Sequence, residues 1–477
     1  MNSPGGRQLR AQLRIDGANT RLAGPLLNVR RVVRAGLHDA VRVTGPDGAT
    51  RVGRIVAIGA DEMVLEVLES TAGLGLADTV VTIESEPLRF ALGPGLLGRV
   101  FDSVGRPLDG GAPPPAQQWL PIDGMNVNPA ARELPRDFIE TGVTAIDLMN
   151  CLVRGQKLPL FSGSGLPHDR LAVAIAQRAR LRGAPGDDGR GRAQQFAIVF
   201  VGIGVSHDTA DYFRTSMEAS GALAHTVMFL NRASDPSTQR LLVPRYALTA
   251  AEYLAFTEGR HVLVIMTDMT NYCEALREVS SSRGEIPSRK GYPGYMYSDL
   301  ASIYERAGCL LGRPGTLTQL PILTMPGDDI GHPIADLTGY ITEGQIVLDR
   351  ELDRRGLYPP IKVLPSLSRL MDMGIGKGVT HEDHAALAHQ LFAAYARATR
   401  VRLLASVMGL EGLSASERQY LAFGDAFEQG VVNHSAPRTL EQSMAAGWRA
   451  LRMLPTDELT RLDLRQREHY ITGGRDA

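Results

Sequence analysis

One stretch, residues 158–180, constrains the fold of this chain more than any other part of its sequence. A short apolar run reaches Phe161, a glycine-rich turn follows, and an Ala/Leu-rich segment with helical character begins near His168. This order of strand, glycine turn and helix is the layout of a phosphate-binding loop. An ordinary strand-turn-helix unit without a ligand explains the same stretch, and residues 158–180 alone favour that simpler interpretation.

The side chains that a working phosphate loop needs are missing from this turn. In the pattern G-x-x-x-x-G-K-[ST], main-chain amides cradle phosphate, the lysine reaches the terminal phosphates, and the hydroxyl holds magnesium. Pro167, His168 and Asp169 stand about where the glycine, the lysine and the hydroxyl residue belong. Proline has no amide hydrogen to offer, and Asp169 brings a negative charge to the place of a phosphate. The candidate nucleotide-binding residues of this degenerate loop are Gly163, Ser164, Gly165, His168 and Asp169.

No other part of the sequence supplies an intact phosphate loop. The chain has only four lysines, Lys157, Lys290, Lys362 and Lys377. Of these, only Lys377 follows a glycine, and the position of the first loop glycine is then a methionine and that of the hydroxyl residue a glycine. Any nucleotide chemistry on this chain would therefore have to proceed without the usual lysine.

Composition narrows the class of protein. The length of 477 residues is enough for roughly two to four domains. Lys+Arg is 51 against Asp+Glu 52, which argues against general nucleic-acid binding through a basic surface and leaves only a local patch open. The three cysteines are far apart, so we expect neither a disulfide nor a metal site from them, and a reducing compartment. No apolar run approaches the roughly 18 residues of a membrane span, so any membrane role would go through partners.

Four regions follow from the pattern of the sequence. Residues 1–20 are polar, and we expect a flexible tail there. Residues 21–92 hold short alternating strands with Gly/Pro turns, which predicts a small β-barrel. Residues 93–378 alternate strands and helices, which predicts an α/β domain with helices on both faces of a parallel sheet; a solvated loop is expected at 183–194. Residues 379–477 keep helical spacing and are expected to form a helical domain.

Helix-start signals support the helical assignment of the last region. The three predicted capping boxes are Thr380 with Asp383, Ser414 with Glu417, and Thr439 with Gln442. Residues 381–384 read His-Glu-Asp-His, which could suggest metal binding. Their spacing differs from H-E-x-x-H, and acids in a first helical turn are favoured by the helix dipole. We therefore predict a structural role for residues 381–384 and no metal site.

Three further features could carry chemistry. An apolar strand over residues 261–266 leads to Asp268, and in phosphate-loop proteins an acid at that place supports magnesium, although many buried strands end in Asp. The loop 284–295 is basic and aromatic, which suits either base stacking or a protein interface. Arg369 follows small polar residues near a domain boundary, where it is either a surface arginine or an arginine finger.

Together these features resemble the B subunit of V-type and archaeal A-type ATP synthases, the non-catalytic member of the rotary ATPase head. The resemblance runs from about residue 24 to residue 470. Residues 69–74 look like the end of the family's barrel, and 359–368 are similar to the signature of rotary-head subunits, except that Lys362 replaces the usual Asn, Asp or His. The segments that carry the resemblance most specifically are 161–168, 291–300, 336–345 and 365–371.

The resemblance implies a place for this chain in a larger machine. We expect a ring in which it alternates with a catalytic A subunit, with ATP or ADP and magnesium at the interfaces and none held tightly by this chain alone. Central and peripheral stalk subunits would couple the ring to proton or sodium transport through a membrane sector, with the ring on the cytoplasmic face of the cell membrane and no nucleic acid bound. By position, Arg369 matches the finger that reaches the neighbour's site, and Tyr292, Ser366 and Tyr340 are expected at interfaces.

The resemblance also implies that this chain does not hydrolyse ATP by itself. Catalytic relatives carry a carboxylate after the second strand, and the matching position here is Val205, which cannot polarise water. A free-standing hexameric motor such as a helicase would need its own lysine and carboxylate. A nucleotide-free scaffold of such a ring is a third interpretation, and only the behaviour of Arg369 separates it from the regulatory role.

Overall fold

The computed structural model describes residues 11–473 apart from 16–19, 32–34, 77, 125–128 and 183–194. The loop expected at 183–194 and much of the tail expected at 1–20 therefore lie outside the described residues.

An antiparallel sheet of seven strands forms the N-terminal region, as expected of the predicted barrel. Alternate residues such as Val41, Ile55 and Leu65 point into one apolar core and are fully buried. The strands are Ala11–Arg14, Arg21–Ala23, Leu26–Arg30, Asp39–Thr44, Thr50–Ile58, Glu62–Val67 and Val80–Pro87.

The first of these strands corrects the expected flexible tail. Ala11–Arg14 pairs antiparallel with the strand Val80–Pro87, and Leu13 lies opposite Val81. Ile15 follows and is buried in the barrel core, with Leu13 packed against that core. Because two apolar residues in alternation have a sheet edge to pair with, residues 11–14 are a strand and not part of a tail.

A buried carboxylate joins the barrel to the next region. Glu66 has no exposed side-chain surface, and it accepts hydrogen bonds from Arg54, at 2.9 Å, and from Arg283 of the central region. Burial raises the pKa of Glu66, but the charges of the two arginines lower it more, so the pKa lies below its usual value. Glu66 is therefore held as an ion between the two regions.

A mainly parallel sheet fills the central region. Along the strand Phe196–Val205, Ile198 and Phe200 enter one apolar core while Val199 and Val201 enter the other, so the strand is covered on both faces. Eight of its strands follow one order, Leu367–Ser368, Gly344–Val347, Leu160–Gly163, Thr316–Met325, His261–Thr267, Phe196–Val205, Thr226–Arg232 and Val100–Phe101. Arg132–Glu133 and Gly308–Leu310 complete the sheet. The first strand, Leu367–Ser368, pairs antiparallel with Gly344–Val347, and neighbours that follow in the order pair in parallel.

Helices cover both faces of this sheet, as the alternating pattern predicts. They are Thr144–Asp147, His168–Arg178, His207–Ser220, Ser237–Arg240, Val243–Glu252, Met269–Ser282, Met296–Tyr304, Pro333–Ile341, Arg350–Arg354 and Met371–Gly374. Shorter strand pairs join Arg89–Leu92 to Gln118–Pro121, and Phe138–Glu140 to both Leu152–Val153 and Arg180–Leu181.

The C-terminal region is helical, and one of the two central cores extends into it through residues such as Leu387 and Phe423. The capping boxes at Ser414 and Thr439 are confirmed, because each hydroxyl accepts from the main chain three residues on and the side chain there bonds back. The helices are His384–Met408, Ala415–Phe427, Leu440–Leu451 and Leu464–Gln466.

The third predicted capping box is wrong. The long helix begins at His384, one residue after Asp383, and no side chain caps it. The hydroxyl of Thr380 instead accepts from the main-chain N–H of Gly376 at 2.7 Å. The carboxylate of Asp383 accepts from Gln466 at 2.7 Å and from Tyr470 at 2.9 Å. Tertiary partners from the C-terminus therefore take the groups that the local pattern assigned to the cap.

Candidate functional site

The degenerate loop is a strand-turn-helix unit, as predicted, and it lies inside the central sheet. The strand Leu160–Gly163 pairs in parallel with Gly344–Val347 on one side and Thr316–Met325 on the other. The helix His168–Arg178 follows the turn, and Pro167 precedes it without a side-chain cap. The turn therefore sits where the carboxyl ends of parallel strands meet, which is the usual ligand edge of such a sheet.

An imidazole takes the place of the missing lysine. The Nδ1 atom of His168 lies 3.0 Å from the Oγ atom of Ser162, at the end of the preceding strand. Its Nε2 atom lies 3.7 Å from the carboxylate of Asp169. The ring is therefore bound to its own loop, and it does not extend outward as a lysine would to reach terminal phosphates.

Two carboxylates meet beside the turn. Burial raises the pKa of Asp169, the charge of His168 and the hydroxyl of Thr267 at 3.3 Å act in the opposite direction, and Asp268 raises it again. The Oδ1 atom of Asp268 accepts from the main-chain N–H groups of Thr270, at 2.8 Å, and Thr324, at 3.1 Å. Asp268 thus caps the helix Met269–Ser282. Two acids and no lysine are the reverse of a phosphate environment.

An ion pair that the sequence analysis missed lies against the turn. Arg350 donates to both carboxylate oxygens of Asp328, at 2.8 and 3.0 Å, and to the carbonyl oxygen of Ser164, at 2.9 Å. A side-chain carbon added at Gly163 would lie 2.1 Å from Asp328. The loop residues Gly163, Ser164, Gly165, His168 and Asp169 therefore do not fit a nucleotide phosphate in this arrangement. No spacing in the sequence signals the pair, because its members come from three separate segments.

The position expected to lack a catalytic carboxylate is part of the protein core. Val205 ends the strand Phe196–Val205 and is 7% exposed, in the same apolar cluster as Phe200 and Phe213. Its carbonyl oxygen accepts from the N–H of Ala233 at 2.7 Å. Val205 therefore packs and offers no proton acceptor on its side chain.

Arg369 is exposed at the far edge of the sheet from Val100–Phe101, directly after the strand Leu367–Ser368. Its main-chain N–H donates to the carbonyl of Glu343 at 2.9 Å, and its Nη1 atom donates to the carbonyl of Thr342 at 3.2 Å. Within the described parts of the chain, no carboxylate forms an ion pair with its guanidinium. The side chain is therefore positioned by main-chain contacts, with its charge uncompensated by an acid.

The signature residue that departs from the resemblance has a partner. The Nζ atom of Lys362 lies 2.7 Å from Asp349, whose carboxylate also caps the helix Arg350–Arg354. Burial raises the pKa of Asp349, but the hydrogen bond from Lys362 and the helix N–H groups lower it more, so it lies below its usual value.

Two of the three expected interface residues are buried in their own chain. Ser366 is 4% exposed; its hydroxyl donates to the carbonyl of Lys362 at 2.6 Å and accepts from the N–H of Val347 at 2.9 Å. Tyr292 is 3% exposed and donates to Glu274. The interface assignment is corrected for both, because their polar groups are already satisfied internally. Tyr340 is 72% exposed and stays a candidate.

The basic loop at 284–295 faces acids of the same chain. Arg289 lies 3.7 Å from Asp336, and Lys290 lies 3.6 Å from Asp329. Among the residues that the structure describes, no cluster of three or more His, Cys, Asp or Glu side chains could hold a metal ion. In that same part of the chain, no helix combines the length and apolar character needed to cross a membrane.

Barrel, parallel sheet with a turn at its ligand edge, and helical domain together define a protein of the ATP synthase alpha/beta class. Residues 19–83 match the β-barrel domain of the ATP synthase alpha/beta family, and 142–368 match its nucleotide-binding domain. Residues 373–471 match the C-terminal domain of V and A type ATP synthases.

Full-length relatives narrow the class. The V-type ATP synthase beta chain of Halothermothrix orenii is 52% identical over 94% of this chain and 96% of its own length. The first B subunit of the A-type ATP synthase of Methanospirillum hungatei is 49% identical over 93% and 95%. The solved ATP synthase protein NeqB from Nanoarcheaum equitans is 34% identical, with a TM-score of 0.71 over 90% of this chain and 100% of that one. The chain belongs to the family of V-type and A-type ATP synthase B (beta) subunits.

Proposed function

We propose that this chain is the non-catalytic, regulatory B subunit of a rotary V/A-type ATP synthase, and that it donates Arg369 to ATP sites on a neighbouring catalytic A subunit. The observation that carries the proposal is the contrast between the two candidate sites. The loop of this chain has an imidazole bound to Ser162 and acids where phosphate would rest, while Arg369 is exposed and has only main-chain partners.

The chemistry of the guanidinium suits this role. Phosphoryl transfer needs stabilisation of negative charge on the transferring group, and an arginine supplied by a neighbour provides it without any proton transfer. The guanidinium is planar and permanently charged, and it presents several donors in a fixed geometry. An acid partner within the chain would compete for these donors, so the main-chain contacts of Arg369 leave it suited to act in trans.

The wider assembly follows from the family. We expect the chain to alternate with the A subunit in a hetero-hexamer, with ATP or ADP and magnesium at the A–B interfaces. Central and peripheral stalk subunits would connect this ring to a membrane sector that transports protons or sodium. The ring would then lie on the cytoplasmic face of the cell membrane, attached through the stalks and not by a span of its own.

A scaffold that plays no part in hydrolysis is the competing function. The completed internal bonding of the loop fits it as well, because Arg350 and Asp328 take the contacts that a ligand would make. A free-standing motor fits less well, since its own loop would need the lysine that His168 replaces.

The test is Arg369→Ala in the reconstituted complex of this chain with the catalytic and stalk subunits. We expect ATP hydrolysis to fall on the order of a thousandfold or more, the range of fingers supplied in trans. Assembly is expected to survive, because the side chain has one hydrogen bond, at 3.2 Å, within the chain. Hydrolysis near the wild-type rate would instead favour the scaffold.

A further inference from the structure

The main chain of Arg369 is attached to the body of the protein through Glu343. The N–H of Arg369 donates to the carbonyl of Glu343 at 2.9 Å. The next residue of that strand, Gly344, lies opposite Ser368 in an antiparallel pair. Because both contacts are made by consecutive residues, a shift of Glu343 moves the point at which the Arg369 side chain leaves the sheet.

Glu343 is in turn fixed by Lys157 through three contacts. The N–H of Glu343 donates to the carbonyl of Lys157 at 3.0 Å, and the N–H of Lys157 donates to the Glu343 carboxylate at 2.7 Å. The Nζ atom of Lys157 lies 2.8 Å from the other carboxylate oxygen. The same ammonium reaches Glu305 at 3.0 Å. Lys157 and Glu343 therefore hold each other by main chain and side chain at once.

A neighbouring amide strengthens this arrangement. The Nε2 atom of Gln156 donates to the carbonyl of Glu343 at 3.2 Å and to the hydroxyl of Ser368 at 2.8 Å. Gln156 is fully buried. Residues 156 and 157 thus contact the residue before Arg369 and the residue that accepts its N–H.

Sheet stability alone is a weak reason for this cluster. The side chain of Lys157 is 9% exposed, and burying a charge is costly unless partners compensate it. Apolar residues of similar size often serve equally well in a purely structural place. An ion pair does better where a fixed direction of the attached main chain matters, since charged hydrogen bonds are short and directional.

We propose that Lys157 and Glu343 are positioning residues for Arg369, setting the direction of its guanidinium toward a neighbouring active site. The proposal rests on the proposed function of Arg369 as a finger. Neither residue touches substrate in this account. Their effect passes through the carbonyl of Glu343 to the N–H of Arg369, and it is felt in the transition state that the guanidinium stabilises.

The experiment uses the assembled complex with wild-type catalytic subunits and measures kcat and KM for ATP. Lys157→Met removes the ammonium and keeps most of the side-chain length, Glu343→Gln removes the charge, and Lys157→Arg restores a cation. A misplacement of about 1 Å costs on the order of a hundredfold. We therefore expect kcat to fall about ten- to a hundredfold in the first two variants, with KM changed less than about threefold, because a finger acts on the transition state. Lys157→Arg is expected to recover most of the rate.

Asp109→Asn is the matched control. Asp109 is 22% exposed, close to the 28% of Glu343, and it also binds one cation, Arg99, at 2.6 Å and a main-chain N–H, that of Val100, at 3.1 Å. Val100 lies at the opposite edge of the central sheet. A general loss of stability would appear in this variant too, whereas a loss of kcat would not.

Combination with Arg369→Ala separates the two proposals. If Lys157 acts through Arg369, Lys157→Met has no further effect on kcat once Arg369 is alanine. An equal fold-loss in both backgrounds, or an unchanged kcat per assembled complex, overturns the positioning role while the finger stands. Wild-type activity of Arg369→Ala overturns the finger and, with it, this proposal. If Lys157→Met fails to assemble, Glu343→Gln and Lys157→Arg give the same comparison.

Discussion

Gly344→Ala tests the Arg369 segment without altering Arg369. Gly344 has φ +139°, and a side-chain carbon added there would lie 2.3 Å from the carbonyl oxygen of Leu367. Contacts below 3.0 Å are essentially never made by real side chains, so Leu367 must move by at least about 0.7 Å. Leu367 is two residues before Arg369, and its strand is the one that moves.

A displacement of this size sets the expected magnitude. Since a misplacement of about 1 Å costs on the order of a hundredfold, we expect kcat of the assembled complex to fall by that factor, or about 2.7 kcal/mol in the barrier. Backbone strain is expected to lower the free energy of unfolding by about 1–3 kcal/mol as well. The assay is ATP hydrolysis at saturating ATP per assembled ring, with urea unfolding of the isolated chain measured in parallel.

Gly376→Ala provides the control for strain. Gly376 has φ +101°, and an added carbon meets nothing within 4 Å. Its variant is expected to lose stability but to keep kcat near the wild-type value. If Gly344→Ala loses stability to the same degree and keeps its kcat, the position of the Arg369 segment does not control catalysis and the reasoning fails.

Three further outcomes are expected. The purified chain alone should show no ATPase activity above background, because Val205 offers no carboxylate and no loop lysine exists; steady turnover abolished by a core mutation in this chain would contradict this. Pro167→Gly, His168→Lys and Asp169→Thr together should raise nucleotide affinity at the loop in a titration, without new turnover in a ring whose catalytic partner is disabled. Glu66→Gln should lower the free energy of unfolding at pH 7. The pKa of Glu66 is depressed in the fold, so its contribution is present above the unfolded pKa of about 4.3, and the gap to wild type should close as pH falls through the lower folded value; a gap independent of pH would contradict this.

Local patterns sufficed for the elements of this fold. The strand-turn-helix unit at 158–180 and the caps at Ser414 and Thr439 depend on residues within a few positions of each other, and the structure confirms them. The strand Ala11–Arg14 was missed because it exists only through pairing with residues about 70 positions later.

The candidate site was less predictable because its contacts are distant in sequence. Arg350 and Ser164 are 186 positions apart, as are Lys157 and Glu343, and no spacing signals either pair. Ser366 illustrates a second limit. Its place in a recognisable motif suggested an interface, but the hydroxyl is needed to join two turns of its own chain. Such a motif identifies a segment, while burial decides which of its side chains can meet a partner.

The strand Leu160–Gly163 is paired on both sides by parallel strands, and this has a consequence for how the turn can vary. Its shape is imposed by the sheet and does not require a bound phosphate. Gly165 at φ +79° has open space around it, so the tip of the turn can change its chemistry without disturbing the packing beneath. The architecture of a nucleotide cradle can thus persist after its ligand contacts are gone, and the chain keeps a rigid frame on which Arg369, two strands away, holds its direction.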